Sequence, residues 1–353
     1  MKGNVVVTEE RAGPEWDDFV RRTQGGTFCH LSGWTSVMQD AMGHRHRGLV
    51  ARAPDSGDEI LGVLPLVEMR SLMFGSHLVS VPFLNYGGPV GSRSAVVALV
   101  EAAVSTAGNA GADTLQLRSR AAIDPPAPTT GTLTNDRDKV TVLLDLPEDS
   151  ETLWTDLRGK VRSQVRRPRK DGMTSRVGRD QLGPFYDVFA HNMRDLGTPV
   201  LPRAFFESLA GVFGDAVVFA AVYADDVPVA GSCGFVFGDE YEMTWASSLR
   251  EYNRSAPNML LYWACMEEAI ERSLAVFNFG RCTPGGGTHR FKLQWGGRDE
   301  PLHWKRWVPG RGDEADADEK GGLMERAIGV WQRLPLPVAN RLGPIVSKRI
   351  PWY

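Results

Sequence analysis

The sequence has few cysteines, almost no net charge and no long apolar run, and each of these shortages excludes a class of protein. Its four cysteines, spread over 353 residues, form no C-x-x-C pair, which argues against a disulfide scaffold and a cysteine-rich zinc site. The 40 basic and 43 acidic residues nearly cancel, so no global field attracts nucleic acid. No run approaches the roughly 20 apolar residues of a membrane-spanning helix, and the N-terminal residues show no signal-peptide pattern. We therefore expect a reduced, cytoplasmic protein.

Familiar catalytic signatures are also missing. The chain has no G-x-S-x-G elbow, no P-loop and no G-x-G-x-x-G fingerprint, which disfavours hydrolase, kinase and dehydrogenase functions. His44 and His46 have an H-x-H spacing, but no third histidine or carboxylate cluster accompanies them, so we expect no metal site. Cys282 is placed beside no histidine or aspartate by any motif, which argues against a nucleophilic role.

What is present reads as two similar halves, each with an antiparallel hairpin between helices. Gly48–Glu68 predicts a hairpin with an acidic turn, and Val217–Phe237 predicts a second one, followed by a third strand over Tyr241–Trp245. The predicted helices are Ser94–Ala107, Gln181–Arg194, Arg203–Phe213 and Pro257–Arg272. Pro257 suits a first helical position, where its missing N–H would be unpaired anyway.

Composition divides the chain into four parts. A strand over Val140–Asp145 and a helix-like run over Glu151–Asp171 follow a polar, proline-rich passage, and we place a domain boundary near Pro147. The predicted parts are a first domain (1–147), a second domain with the catalytic site (148–308), an acidic linker (309–322) and a basic amphipathic C-terminal segment (323–353). The last segment is of a kind that docks on its own first domain or lies on a membrane surface or partner, and the sequence leaves these alternatives open.

A glycine-rich loop is the most informative stretch. Phe277–Gly280 reads as an apolar strand that enters the triple glycine Gly285–Gly287, and the chain is predicted to return as an aromatic strand carrying Lys292. Arg281 and Arg290 add positive charge around the bend. Either a flexible hairpin or a site for an anionic substrate fits this pattern.

A dense basic run lies near the start of the second domain. Its members stand within nineteen residues that include a single acid, Asp171: Arg158, Lys160, Arg162, Arg166, Arg167, Arg169, Lys170 and Arg176. On a helix, several of these charges share one face and lack acidic partners at i,i+4, which favours phosphate binding over a merely solvated surface.

The strand Tyr241–Trp245 alternates apolar and polar residues. Glu242 and Thr244 are therefore predicted to share a face, and Glu242 would be a general base if that face lined a pocket. An exposed carboxylate on an ordinary strand is the alternative.

Taken in order, these segments resemble the FemAB family of non-ribosomal peptidyl and aminoacyl transferases over roughly Phe28 to Trp307. The resemblance is carried by Phe28-x5-Trp34, Leu157-Arg158-x-Lys160-x-Arg162-x3-Arg166-Arg167-x2-Lys170-x-Gly172, Asn258-x-Leu260-Leu261-x-Trp263, and Phe277–Gly280 with Phe291-Lys292-x2-Trp295-Gly296. Within the family, Val81-Pro82-Phe83, Tyr86-Gly87-Gly88-Pro89 and Arg333–Pro337 are similar to the FemAB-like proteins of exosortase and exopolysaccharide systems.

The resemblance implies an α+β fold with two tandem GNAT-like domains, each a mixed, mostly antiparallel sheet flanked by helices. It implies transfer of an aminoacyl group from aminoacyl-tRNA to an amine of a cell-envelope or exopolysaccharide-related acceptor, such as a glycan precursor, without a bound cofactor or metal. The composition of the chain adds that the enzyme is expected in the cytoplasm, with peripheral contact at the inner face of the membrane through 323–353 as one of the two open roles of that segment.

Site residues follow from the same resemblance. The family's Phe-Lys pair maps onto Phe291 and Lys292, and the ammonium of Lys292 would neutralise a phosphate or stabilise an oxyanion, with Glu242 or Tyr252 relaying the proton. The expected substrate-binding residues are Phe291, Arg281, Arg290, Asn278, Trp295, Lys160, Arg166, Arg167 and Lys170. Asn278 stands where relatives often have aspartate, and His30–Ser36 lacks the lysine that wall-precursor enzymes use to hold a nucleotide diphosphate.

Two other functions stay open. An N-acyltransferase that uses acyl-CoA would share the GNAT fold, although the turn Arg250–Asn258, where such enzymes cradle the pyrophosphate, has no glycine and contains Pro257, which lacks an N–H. The third hypothesis is a non-catalytic binding protein in polysaccharide assembly.

Overall fold

The computed structural model describes residues 5–54, 58–125, 127–136, 138–310 and 325–351. The chain forms two compact units. The first comprises the described residues within 1–139, 301–317 and 348–353, and the second those within 140–300 and 318–347.

The first unit is a mixed sheet with one long helix against it. Its strands are β1 (Val6–Glu10), β2 (Arg45–Ala53), β3 (Glu59–Ser71), β4 (Gly75–Val79), β5 (Val90–Gly91), β6 (Thr114–Ser119), β7 (Thr132–Asn135) and most of β14 (Arg298–Val308). The strand order is β1-β2-β3-β4-β6-β14, with β5 beside β3 and β7 beside β14. Strand β4 pairs with β6 in parallel, and the other pairs are antiparallel.

The helices of the first unit are α1 (Pro14–Arg22), α2 (Trp34–Ser36) and α3 (Arg93–Asn109). Helix α3 begins after Ser92, whose hydroxyl accepts a hydrogen bond from the N–H of Ala95. Its small apolar side chains lie close against β2 and β3, and this contact forms the core of the unit. The hairpin predicted over Gly48–Glu68 and the helix predicted over Ser94–Ala107 are confirmed.

The second unit is a sheet in the order β8-β13-β12-β11-β10-β9. Its strands are β8 (Lys139–Asp145), β9 (Thr174–Val177), β10 (Val217–Ala224), β11 (Val227–Phe237), β12 (Glu240–Ser248) and β13 (Val276–Cys282). Strands β12 and β13 are parallel, and their neighbours are antiparallel. A chain that must connect two parallel strands needs a crossover, and here the crossover contains a helix.

The helices between Ser150 and Leu293 that accompany this sheet are α4 (Ser150–Asp156), α5 (Gly159–Lys170), α6 (Leu182–Leu196), α7 (Arg203–Phe213), α8 (Pro257–Glu271) and α9 (Gly287–Leu293). Helix α8 is the crossover between β12 and β13, and it is buried along most of its length. Pro257 occupies its first turn, as predicted. The hairpin Val217–Phe237 and the helices predicted in this half are confirmed, as is the α+β class.

Three sequence predictions need correction or comment. The predicted return of the glycine loop as a strand is wrong, because Gly287–Leu293 forms α9. The run Glu151–Asp171 is two helices, separated at Leu157 and Arg158, whose extended backbone ends α4 and caps α5. The units divide between residues 139 and 140, whereas the sequence places the boundary near Pro147, because β8 pairs with β13 of the second unit.

The C-terminal segment packs on the protein itself: its helix Leu336–Ser347 belongs to the second unit, and residues 348–351 belong to the first unit, where the docking alternative placed the segment. Its helix Leu336–Ser347 packs against α6. The side chain of Arg194 donates to the carbonyl of Leu334 at 3.2 Å, and Gln332 donates to the carbonyl of Asp195 at 3.2 Å. The predicted linker 309–322 lies almost entirely outside the described residues. Within the described parts of the chain, no helix combines the length and apolarity needed to cross a bilayer.

Candidate functional site

The two parallel strands of the second unit separate beyond three paired positions. Strands β12 and β13 pair from Glu240 with Val276 to Glu242 with Asn278, yet β12 continues to Ser248 and β13 to Cys282. Past this fork, each strand has an edge that the other does not occupy. Such edges present backbone N–H and C=O groups that an extended ligand can use.

A bulge shapes the far arm of the fork. On the other side of β13, Asn278 pairs with Leu143 and Arg281 with Thr141, so β13 has one residue more than β8 in this interval. Gly280 lies in the bulge with φ of +72°, a conformation that side chains other than glycine rarely adopt. The bulge turns the carbonyls of Gly280 and Arg281 toward α9.

Lys292, on α9, binds these two carbonyls. Its ammonium donates to the carbonyl of Gly280 at 2.7 Å and to that of Arg281 at 3.0 Å, and the residue is 4% exposed. Burial lowers the pKa of Lys292 to about 8; the charges of Cys282 and Glu242 oppose this shift, and Arg281 adds to it. The amine thus titrates close to physiological pH, and a third N–H remains for a ligand after these two bonds.

Glu242 is the last residue of β12 that pairs with β13. It is 5% exposed, so the alternative of an ordinary surface carboxylate is wrong. The Thr244 hydroxyl donates to its carboxylate at 2.9 Å, which confirms that the two side chains share a face. A buried carboxylate that is electrostatically coupled to Lys292 stands where the fork opens.

Asn278, which pairs with Glu242, holds neighbouring strands of the sheet together. Its amide nitrogen donates to Glu240 at 2.7 Å, and its amide oxygen accepts from the N–H of Gly280 at 2.8 Å and from the hydroxyl of Thr141. These partners belong to three neighbouring strands, and Asn278 is fully buried. Its neutral amide therefore fixes the base of the fork, and the substrate contact that the sequence predicts for Asn278 stays a prediction.

His289 ties the glycine loop to α9, and sequence reasoning missed it. Its Nδ1 accepts from the N–H of Gly285 at 3.0 Å, so the Nε2–H is the donor to the carboxylate of Asp299, at 2.8 Å. Three residues further along the same face of α9 comes Lys292. The helix is thus anchored at two points, to the start of β14 and to the end of β13. Ten residues separate His289 from Asp299, and no motif marks the pair.

Arg290 also folds onto the loop. Its guanidinium donates to the carbonyl of Gly285 at 2.6 Å, although the residue is exposed. It therefore braces the loop while its remaining donors face outward.

The aromatic residues predicted for the site pack against Tyr262 of α8. Phe291 meets the ring of Tyr262 edge to face at 5.0 Å, and Trp295 is buried and stacked on the same ring at 6.3 Å. Tyr252, in the turn before α8, is half-buried and packs against the same core. Packing of this kind holds α9 and gives these rings a structural part.

The basic run forms the outer face of α5. Val161 and Val165 are buried and turn toward α8, whereas five basic residues are exposed: Lys160, Arg166, Arg167, Arg169 and Lys170. Arg166 lies over the ring of Trp154 at 5.0 Å, and Arg169 approaches Glu267 at 3.6 Å. The structure places these cations on one helix.

No group of histidine, cysteine and carboxylate side chains able to hold a metal occurs within the described ranges. All four cysteines are buried as free thiols, and burial raises the pKa of Cys265 to about 11. The reduced state expected from the sequence agrees with this.

The model of an acetyltransferase (GNAT) domain matches residues 155–293, which lie in the second unit. No curated protein matches the chain. Among solved structures, FemX is 15% identical with a TM-score of 0.59 and covers 83% of this chain and 95% of its own. L-PGS from Bacillus licheniformis is 10% identical with a TM-score of 0.50, over 93% of this chain and 99% of its own.

A tandem GNAT protein from the clavulanic acid biosynthesis pathway is 11% identical, with a TM-score of 0.54, over 88% of this chain and all of its own length. These structures show a shared fold, which confirms two tandem GNAT-like units as the FemAB resemblance implies. The matched domain makes the chain an acyltransferase.

Proposed function

We propose that the second unit transfers an aminoacyl group from aminoacyl-tRNA to an amine of a cell-envelope or exopolysaccharide-related acceptor. The observation that carries this proposal is the buried ammonium of Lys292 beside the strand fork. A buried cation at an opening between strands suits a reaction in which negative charge develops on a carbonyl oxygen.

The chemistry uses the two charged groups of the cluster. The acceptor amine attacks the ester carbonyl of the charged tRNA, forming a C–N bond and a tetrahedral oxyanion, which the third N–H of Lys292 stabilises. Glu242 takes the proton that the amine loses. The C–O bond to the 3′ ribose oxygen then breaks, and the leaving oxygen receives that proton from Glu242.

The donor is favoured by charge. Among the exposed cations of α5, Arg167 alone is followed by an acid four residues on, Asp171, and tRNA is the polyanion that such a basic face suits. The carbonyl of Arg281 accepts from Lys292, and Arg290 comes two residues before Lys292 on α9; there the two arginines would meet the phosphates of the acceptor end.

The match to an acetyltransferase (GNAT) domain favours a second candidate, N-acylation from acyl-CoA. The turn before α8 weighs against it. Residues Arg250–Ser255 form a 3₁₀ helix, Ala256 is left-handed with φ of +55°, and Pro257 contributes no N–H. A run of free backbone N–H groups for a pyrophosphate is interrupted at this place.

Location and acceptor belong to the same proposal. We place the reaction in the cytoplasm, with peripheral contact at the inner face of the membrane through the C-terminal helix. Val338, Leu342 and Ile345 of that helix are exposed beside Arg341. A lipid-linked or membrane-assembled glycan precursor would be reached from there.

A donor exchange tests the function. Purified protein is incubated with amine-containing envelope extract and either total tRNA charged with labelled amino acids or labelled acetyl-CoA. We expect label to pass from tRNA into an RNase-resistant product, and not with Lys292→Met protein. Transfer from acetyl-CoA alone establishes the second candidate and overturns the first. Label that moves from neither donor, or that moves equally well with Lys292→Met protein, defeats both.

A further inference from the structure

The first unit has a cavity of its own, apart from any site considered above. It has a volume of about 340 Å³, within the size range of small-molecule sites. It lies where β6, the parallel partner of β4, ends and α3 begins, and Gly88, Arg93 and Ser119 are among the residues that line it. In α/β structures, ligands bind in the crevice beyond the carboxyl ends of parallel strands.

The charge around this cavity favours an anion. Arg93 is the first residue of the 17-residue helix α3, whose N-terminal N–H groups and dipole attract negative charge. Arg120, directly after β6, is a second lining cation. One exposed carboxylate, Asp124, also lines the cavity, so the arginines outnumber it.

A buried hydroxyl inside the cavity wall gives an independent reason to expect a ligand. Ser119 is 3% exposed, and its Oγ has no hydrogen-bond partner among the described residues. Burying a hydroxyl without a partner is unfavourable, and a ligand that pairs with it recovers that cost. Close approach is allowed by Gly88, where a Cβ would lie 2.0 Å from the Ser119 Oγ.

The wall of the cavity is held rigidly on the side of Gly88. His30 is buried, and burial lowers its pKa to about 4, so the ring is neutral. Its Nδ1 accepts from the N–H of Thr27 at 3.1 Å, which leaves the Nε2–H to donate to the carbonyl of Gly88 at 2.8 Å. A neutral histidine locked in one tautomer therefore fixes the glycine beside the orphan hydroxyl.

The loop that leads to Gly88 is strained. Val81 and Phe83 have φ of +46° and +72°, although both are buried and Val81 is β-branched. The guanidinium of Arg118 secures the loop through the carbonyl of Leu84 at 2.9 Å. Strain that is held in place by surrounding contacts is typical of binding sites.

We propose that this cavity binds a small organic anion, with its phosphate or carboxylate at Arg93, Arg120 and the Ser119 hydroxyl, and an apolar body against Val90, Val96 and Ile123. Arginine and a helix N-terminus hold phosphate and carboxylate by the same charge-assisted hydrogen bonds. The apolar side chains give the remainder of the ligand a surface to bury. The first unit then contains a second ligand site of the enzyme.

Matched probes test the proposal on the full chain. Phenyl phosphate, benzoate and benzyl alcohol share a ring and differ in charge, and their binding is followed by calorimetry and by ligand-observed NMR. We expect one or both anions to bind at concentrations up to about 10 mM and the alcohol not to bind. The stronger anion identifies the head group. Equal binding of the alcohol, or no binding of either anion, overturns the proposal.

Variants locate the site. Arg93→Ala should weaken anion binding about tenfold, whereas Arg11→Ala, which removes an exposed arginine outside this cavity, should change nothing. Ser119→Ala should also weaken binding, yet raise the melting temperature of the free protein, because it removes an unpaired buried hydroxyl. Unchanged affinity in both Arg93→Ala and Ser119→Ala overturns the proposal. Lys292→Met should leave this binding intact, so failure here is separable from failure of the proposed transfer.

Discussion

The ammonium of Lys292 lies 2.7 Å from the carbonyl oxygen of Gly280, and it joins α9 to the bulge of β13. The carbonyl faces the lysine because Gly280 has a positive φ within the bulge. A backbone irregularity thereby holds a cation at the fork between β12 and β13.

Lys292→Met should lower the transfer rate by at least about a hundredfold, because it removes the cation that faces the developing oxyanion. Product formation under saturating donor measures the effect. Lys305→Met, a lysine of β14 in the other unit, is the matched control and should keep its rate. Loss of activity in both variants, or in neither, contradicts the role of Lys292.

The same lysine should give the stability of the protein a distinct pH dependence. Its folded pKa is about 8 and its usual value is 10.5, so between these values the unfolded chain keeps a proton that the folded chain has lost. Stability should therefore rise with pH through this window, by up to about 3 kcal/mol. Chemical denaturation of wild type and Lys292→Met at pH 7 to 10.5 isolates the contribution, since other groups titrate equally in both. An identical pH dependence in the two proteins would show that the lysine is not desolvated.

The transfer rate, unlike the stability, should fall as the pH rises on the alkaline side of its pH–rate profile. The ammonium form acts in the reaction, so turnover should decline as pH rises through about 8. A pH–rate profile at saturating substrate measures this, and Lys292→Arg, which stays charged, should shift the decline upward. A rate that increases through pH 8 in wild type would mean that the neutral amine is the active form.

Glu242→Gln should reduce turnover about a hundredfold while donor binding stays unchanged, because the amide keeps the shape and loses the basicity. Single-turnover rates and donor retention on the protein separate these effects. Thr244→Val, which removes the hydroxyl that donates to Glu242, is the milder companion and should cost less than tenfold. Equal transfer rates in Glu242→Gln and wild type would remove Glu242 from the mechanism.

The outer face of α5 should dominate the salt dependence of tRNA binding. Arg167→Ala with Lys170→Ala removes two exposed cations and should lower the slope of log affinity against log salt by roughly 1.5. Filter binding at several salt concentrations measures the slope. Arg203→Ala, an exposed arginine on α7 that pairs with Glu207, is the charge control. Equal slopes in the two proteins would place the polyanion elsewhere.

The C-terminal helix should bind anionic vesicles through its apolar side. Leu342→Glu with Ile345→Glu should abolish co-sedimentation, because both side chains are exposed, Ile345 to 55%, and the charges would enter the bilayer interface. Neutral vesicles are the reference, and Leu196→Glu on α6 is the matched exposed position. Wild-type protein that stays in the supernatant with both kinds of vesicle would contradict membrane contact.

Much of the frame was predictable because the signals are local. Arg203–Phe213 and Val217–Phe237 carry periodicities of helix and strand that survive any tertiary context, and they fold as predicted. The segment after the glycine loop is predicted wrongly as a strand, because apolar and aromatic residues, Phe291 among them, recur in it. Helix α9 has only seven residues, too few to be stable alone, and it exists because His289 and Lys292 are anchored by residues outside the helix.

The sequence by itself determined the class of the protein: hairpins and helices in two halves, a basic helix near the start of the second half, and a lysine beyond three glycines. Only the tertiary structure decided what surrounds that lysine, because burial and hydrogen bonding depend on residues far apart in the chain. Glu242, fifty residues away, is buried and shifts the pKa of Lys292, and Asn278 belongs to the sheet. In the first unit, the unpaired hydroxyl of Ser119 exists only because Gly88 folds against it. The periodicity that predicts helices and strands depends on neighbouring residues, whereas the burial that shifts a pKa depends on residues far apart in the sequence.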